Sequence, residues 1–545
     1  MTRIFQAGLP GTAILIATSI FGAAQAAAPV PQSAPSLETR IAFHDLRQDV
    51  AIAELLDALR SRALQGHILL RDVHVVNPDT GGVVANQAVL VSGRTIQWVG
   101  NEANVPTLSD SPQVIRGHGG YLIPGLVDMH VHTHNAGDLL LDLSAGVTTV
   151  RDMAGFPWML KMRDAINTGA MLAPTVYVAG PLFNQSGVGG YAVAPIDAVD
   201  ARRMVRQQAA CGYDFIKVWN ILPQPMFDAI AEEAHVVGMD LVGHVPQEIS
   251  VRHAAQQGLR TMEHLKGFLN DATLKLGETD YAAAVDGPPV WITPTLYTDF
   301  AHATPHGEEA RRLLAEPRFR YVPLRSRLRW SRIADQPESR LDTLNREARP
   351  ILAEIMSKLE AEHAQFLAGT DSASLPFAVR GFALLDELAL LHEAGLTPQQ
   401  ALRAATSEPA RAMRDPHAFG LIENGARADL VLLNANPLEN VAAVTWNDGV
   451  MAHGLWLTRP DIDAALANLA AIYGEPDDSV EINAATAAAL AAKLESLSAK
   501  GFVFAADEIT AAAKAVAGAG APRAAAALKA LAFIPTTWPC ADVRR

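Results

Sequence analysis

From residue 121 onward the chain repeats one pattern, and that pattern limits the folds open to it. Apolar, strand-like runs alternate with stretches that can hold helices: "YLIPGLVDMHVH", "GVTTVRDM", "TVYVAG", "DFIKVW", "DLVGHVP", "RTMEHL", "WITPTL" and "QFLAGTDS". Continuous apolar strands joined by helices belong to parallel sheets covered on both faces. The eight runs predict an α/β fold of (β/α)8 barrel type. A doubly wound open sheet is the alternative that the pattern alone leaves standing. Between the seventh and eighth runs, residues 307–363 are helical in pattern and rich in arginine. They read as a helical insertion or lid near the barrel mouth.

The flanks follow a different grammar. Short β-branched runs separated by turn pairs such as Asn77-Pro78, Gly81-Gly82 and Ser92-Gly93 predict a small antiparallel β unit over 67–122. Similar runs return over 415–458. A β unit on each side of a barrel (123–414) can pair into one β-sandwich. Before it, a Pro-, Ala- and Ser-rich linker leads into a helix over 37–64, with Leu55, Leu56 and Leu59 at helical spacing; linker and helix fill 27–66. Residues 459–545 are Ala-rich, helical by propensity, and carry no chemical motif.

Length and charge narrow the class further. A chain of 545 residues, 49% apolar and 19% charged, buries a large core without a disulfide scaffold. Its net charge of -14, with dispersed acids, argues against nucleic acid as a partner. The two cysteines, Cys211 and Cys540, form no C-x-x-C pattern, which argues against a thiolate zinc site; whether they pair is not legible. At the N-terminus, Arg3 precedes "AGLPGTAILIATSIFGAA" and the small-x-small site Ala24-Gln25-Ala26. This predicts a signal peptide over 1–26 and a periplasmic or secreted protein, free of the membrane after cleavage.

The chemistry starts at "PGLVDMHVHTH". In an extended chain His130, His132 and Asp128 share one face, and two imidazoles so placed can bind one metal ion. His134 falls where the strand turns into its loop and is a weak candidate. Alone, the pattern is equally served by histidines that are merely hydrogen-bonded. The other strand ends change the balance. Lys217 sits among apolar residues in "DFIKVW", where a free ammonium is unfavourable unless paired or altered. His244, His264 and Asp371 end the fifth, sixth and eighth runs. In a barrel the C-terminal strand ends meet at one site, so these polar groups would converge.

With "LIPGLVDMHVH", "GVTTVRDM", "DFIKVW", "LVGHVP", "MEHL", "LAGTDS" and the closing "ADLVLLNANPLENV", the chain resembles the amidohydrolase superfamily. The branch is the imidazolonepropionase-like one, which also holds metal-dependent dipeptidases of Xaa-Pro and Xaa-Arg/Lys type. The resemblance runs from about 67 to 458. It implies a (β/α)8 barrel with a β-sandwich built from both flanks, and two divalent metal ions, usually zinc. It implies that His130, His132 and Asp371 hold the more buried ion and His244 and His264 the more exposed one. Lys217, carboxylated on its side-chain nitrogen by CO2, would bridge them. It also implies that a bridging hydroxide attacks the scissile carbonyl, with Asp371 relaying the proton. Asp128 would support the ligands or serve the fold alone. The segment "KVWNILPQP" departs from the family's pattern after Lys217, so substrate preference is not carried over.

The expected activity is hydrolysis of an amide-type C–N bond in a dipeptide or N-acyl amino acid. The alternatives are a lactone, a cyclic amide or a phosphotriester on the same site, and a non-catalytic binding barrel. Self-association into a homo-oligomer stays open. Tyr297 in "TPTLYTDF" is read as a packed loop residue before a contact to a reaction intermediate. The arginines of "RFRYVPLRSRLRWSR" are read as a solvated helical face before a substrate clamp. His253, His302, His306 and His392 lack strand-end context.

Overall fold

The computed structural model describes residues 37–531, apart from 109–110, 186–191, 271–274, 278–279, 299–304, 373–375, 416–417, 477–480, 505 and 519–520. The expected signal peptide, its linker, His302 and Cys540 lie outside the described residues. Cys211, at the end of the helix Ala198–Cys211, is disulfide-bonded, so no described cysteine is a free thiol.

Eight parallel strands carry the pattern read from 121 onward. They are Leu126–Val131, Val147–Asp152, Thr175–Val178, Phe215–Val218, Asp240–Gly243, Leu259–Glu263, Trp291–Thr293 and Gln365–Phe366. The first two are buried at every position, as strands covered on both faces must be. Ladders join the first three and the last five in order. Between the third and fourth, Ala179 bridges Phe215, and Asp214 N donates to Val178 O at 2.9 Å. Between the eighth and first, Val131 bridges Ser372, Met129 N donates to Ala368 O at 2.9 Å and His132 N to Ser372 O at 2.7 Å.

Helices fill the gaps. Ala136–Ser144 starts at a capping box in which Asn135 accepts from the Asp138 amide and Asp138 reaches back. Ala198–Cys211 ends at Gly212, whose φ of 86° is the left-handed cap a glycine supplies. Residues 307–361 hold three α-helices, Gly307–Leu314, Leu324–Ala334 and Arg340–Ala361.

The run "YLIPGLVDMHVH" is two strands, not one. Its first half ends the long strand Gln113–Pro124, and the chain turns at Gly125, where an added Cβ would lie 2.0 Å from Thr148 Oγ1. Gln113–Pro124 belongs to a seven-stranded sheet with His67–Asn77, Gly82–Ser92 and Thr95–Asn101 from one flank and Leu430–Leu433, Asn447–Ala452 and Leu455–Thr458 from the other. Both flanks therefore build one sheet, and the expected antiparallel unit is corrected: His67–Asn77 runs parallel to Gln113–Pro124, pairing Ile68 with Gln113 and Val75 with Leu122. A hairpin cannot join parallel strands, and the intervening two strands supply the crossover. The edge strand Thr95–Asn101 also meets the segment that leads into Leu430–Leu433: Ile96 N donates to Ala426 O and Ala428 N to Arg94 O, both at 2.9 Å. Ile68, Leu70, Val89, Leu122, Leu430 and Trp456 pack together as its apolar core.

The helix Leu37–Arg62 packs against C-terminal helices Arg459–Gly474, Ala484–Ala499 and Ala506–Gly518. Gln48 donates to Ile472 O at 2.8 Å, and Lys493 and Lys500 pair with Glu54 and Asp57. Among the described residues no helix is long and apolar enough to cross a membrane.

Candidate metal centre

The strand ends bring the expected side chains to one place. His132 Nε2 lies 2.8 Å from Asp371 Oδ1, His130 Nε2 3.6 Å from the same oxygen, and His264 Nε2 3.9 Å from Asp371 Oδ2. One ligand atom each from His130, His264 and Asp371 fall within 4.8 Å of one another. The ring of His264 is 4.6 Å from that of His130 and 4.7 Å, edge-on, from that of His244. Lys217 is buried in the fourth strand, and its charge acts on His130, His244, His264 and Asp371.

Each of three rings is held from behind. His130 Nδ1–H donates to Glu263 Oε2 at 2.9 Å, and His244 Nδ1–H to Asn220 Oδ1 at 2.5 Å. The Thr295 hydroxyl gives its proton to Pro294 O, so it accepts from His264 Nδ1 at 2.6 Å. With Nδ1 carrying the hydrogen, each Nε2 keeps its lone pair for the centre. This donor set of imidazole nitrogens and a carboxylate is one that binds zinc-like ions.

Electrostatics keep the rings neutral. Burial, reinforced by the Lys217 charge, pushes the His130 imidazole down to about 4. Burial also drives His244 and His264 well below the ordinary imidazole value, helped by Lys217 and by His130 respectively. Burial pulls the Lys217 ammonium down to about 8 against the opposing charges of Glu263 and Asp371. Burial would raise Glu263 and Asp371. The Arg151 guanidinium outweighs it at Glu263, and the surrounding imidazoles outweigh it at Asp371, so both stay anionic.

The backbone is strained where the side chains converge. His264, Leu265, Thr295 and Asp371 hold φ of 60°, 52°, 53° and 53°, a left-handed region that Leu265 and the β-branched Thr295 enter only when their surroundings enforce it.

Comparison with known proteins decides the family. The Amidohydrolase family matches residues 121–457, from the last residues of Gln113–Pro124 to the last sheet strand. This chain is an amidohydrolase. It is 23% identical to ochratoxinase of Aspergillus niger over 460 residues, covering 69% of this chain and 85% of the relative. It is 28% identical to imidazolonepropionase of Anaeromyxobacter sp. (strain K) over 422 residues, covering 71% and 95%. A solved Xaa-Pro dipeptidase with bound methionine in its active site shares the fold at 19% identity and a TM-score of 0.56, covering 72% of this chain and all of that one. The protein is accordingly a hydrolase of carbon–nitrogen bonds.

Other residues of this amidohydrolase fall outside the cluster. His134 is exposed; its amide donates to Asp138, and its side chain lines a small cavity with Trp158 and Phe502. Asp128, fully buried and pushed up to about 6 by that burial, accepts from the amides of His130 and Thr370 and from the Thr370 hydroxyl. It thus pins the first strand to the eighth. Tyr297 spends its hydroxyl on Phe377 O at 3.1 Å. The arginines near 320 are more engaged than a solvated face: Arg318 pairs with Asp386 and Arg325 with Asp45.

Glu263, Arg151, Asn220 and Thr295 were not foreseen. For Glu263 and Arg151 a signal existed, since "TMEHL" and "TTVRDM" place charges inside apolar strands, where each needs a buried partner. Asn220 and Thr295 follow their strands in loops, which have no period to read.

Proposed function

We propose that this amidohydrolase is exported and cleaves a dipeptide or N-acyl amino acid, using two divalent ions at the mouth of a closed (β/α)8 barrel, zinc being the ion expected. The observation that carries the reading is the set of Nε2 atoms of His130, His132 and His264 turned toward Asp371, with the Nδ1 atoms of His130 and His264 tied back. The hydrogen bonds from the third strand to the fourth and from the eighth to the first support barrel closure. The relatives' names support an amide-type substrate. Export rests on the N-terminal run and Ala24-Gln25-Ala26.

In this reading His130, His132 and Asp371 hold the inner ion, and His244 and His264 the outer one. Lys217, poised to lose its proton because it is buried, adds its Nζ to the carbon of CO2. The amine proton would leave to solvent, and an anionic carbamate able to serve as a metal ligand would replace a buried cation. When bound, the ions supply an acidified water and a Lewis-acid contact for the carbonyl. Asp371 takes the proton from the attacking water and delivers it to the leaving nitrogen.

The test is metal analysis of the purified protein joined to a substrate panel: Xaa-Pro and other dipeptides, N-acyl amino acids, ochratoxin, lactones and phosphotriesters. We expect two ions per chain and amine release from dipeptides or N-acyl amino acids that stops on chelation and returns with zinc. Turnover that survives complete chelation would end the metal reading, and turnover of lactones or phosphotriesters alone would end the dipeptide reading.

A further inference from the structure

Glu263 ends the sixth strand with no exposure to solvent, and a carboxylate there is unfavourable unless every lone pair finds a donor. It finds three. Oε1 accepts from Arg151 at 2.8 Å and from the Thr261 hydroxyl at 2.5 Å, and Oε2 accepts from His130 Nδ1 at 2.9 Å. Arg151 is equally buried in the second strand. Its Nε donates to Met129 O at 2.6 Å and a terminal nitrogen to the Thr261 hydroxyl at 3.0 Å. One closed set of contacts therefore joins the second and sixth strands to the backbone and ring of the first.

This support differs from that of the neighbouring rings. His244 and His264 lean on a neutral amide and a neutral hydroxyl. Of these three rings His130 is the one backed by a carboxylate, and that carboxylate is locked by a guanidinium rather than free to turn. A charged, acceptor-only partner fixes the ring's hydrogen on Nδ1 and raises the basicity of Nε2.

We infer that Glu263, clamped by Arg151, is the positioning residue that sets the tautomer, orientation and donor strength of His130, so that the inner ion depends on a carboxylate that never touches it. This rests on the two-ion reading above. Glu263→Gln keeps the size but offers only one acceptor oxygen, to be shared between His130 and Arg151. Glu263→Asp keeps a counter-ion for Arg151 but withdraws the oxygen from His130, which separates positioning from folding.

The experiment is zinc titration against a competing chelator, with metal content by elemental analysis and thermal unfolding of the metal-free proteins. We expect both variants to lose one ion at roughly 10- to 100-fold lower chelator strength than the wild type, the second ion being less affected. Metal-free Glu263→Asp should unfold close to the wild type. Two ions held as tightly in folded Glu263→Asp as in the wild type would overturn the inference and leave the two-ion reading intact. A wild type that binds no ion would overturn that reading itself, and the inference with it.

Discussion

Lys217 shares its strand with Phe215, Ile216 and Val218, and all four are buried. An apolar side chain there would pack at no electrostatic penalty, so the lysine's presence calls for chemistry. In the reading above, Lys217→Ala removes the shared anion and leaves a gap in the barrel interior. Activity should fall by about three orders of magnitude or more, and the metal content should drop with it. Measuring kcat/KM and bound metal on the same preparation checks this; full turnover by the variant would remove the carbamate. Glu263 and Asp371 are the counter-charges whose fields act on this lysine.

At the scale of the element, the fourth and fifth strands approach each other closely beside that lysine. Gly243 pairs with Val218 and adopts a φ of 131°, and a Cβ there would lie 2.1 Å from Val218 O and 3.1 Å from Lys217 Cδ. No side chain fits without pushing a backbone carbonyl aside. Gly243→Ala should cost about 3 kcal/mol through strain and steric overlap, read as a lower denaturant midpoint, with metal lost as His244 and Lys217 shift. A variant with unchanged midpoint and metal content would contradict this geometry. Gly369 plays a similar part just past the eighth strand, where a Cβ would meet Thr293 at 2.6 Å and His130 at 3.0 Å.

At the scale of the molecule, the sheet made by both flanks docks on the parallel strands through His453. This residue and Gly454, with φ of 53° and 76°, form the two-residue turn of a hairpin. The ring accepts from Arg94 at 2.6 Å on Nδ1 and faces Thr175 of the third strand, while its amide donates to Asp429 at 2.7 Å. Burial, aided by Arg94 and Arg427 against the opposing Asp429, pushes the imidazole down from 6.5 to about 4. The unfolded chain thus binds the proton more readily. The stabilisation is whole above about pH 6.5 and is lost as the pH falls toward 4. Between pH 7 and 5 the loss from this group should be about 2 kcal/mol. His453→Asn keeps a residue suited to the left-handed turn and removes the titration. Its denaturant midpoint should fall less than the wild type's over that interval, and parallel slopes would rule out His453 as the source.

The sequence by itself determined the alternation of parallel strands and helices, because buried strands must be apolar along their whole length and that shows at any position. It also marked His130, His132, Lys217, His244, His264 and Asp371, since a polar group closing an apolar run is visible without coordinates. It foresaw the antiparallel pairing of His67–Asn77 with Gly82–Ser92 and of Gly82–Ser92 with Thr95–Asn101, but not the parallel pairing of His67–Asn77 with Gln113–Pro124, because turn signals show where strands end but not which of them become neighbours. Only the tertiary structure decided that Leu430–Leu433 lies beside Gln113–Pro124, that "YLIPGLVDMHVH" breaks at Gly125, and that Glu263 and Arg151 meet behind His130. Those pairings join residues more than 100 positions apart. Their partners are chosen by packing in three dimensions, and no local period in the chain records that choice.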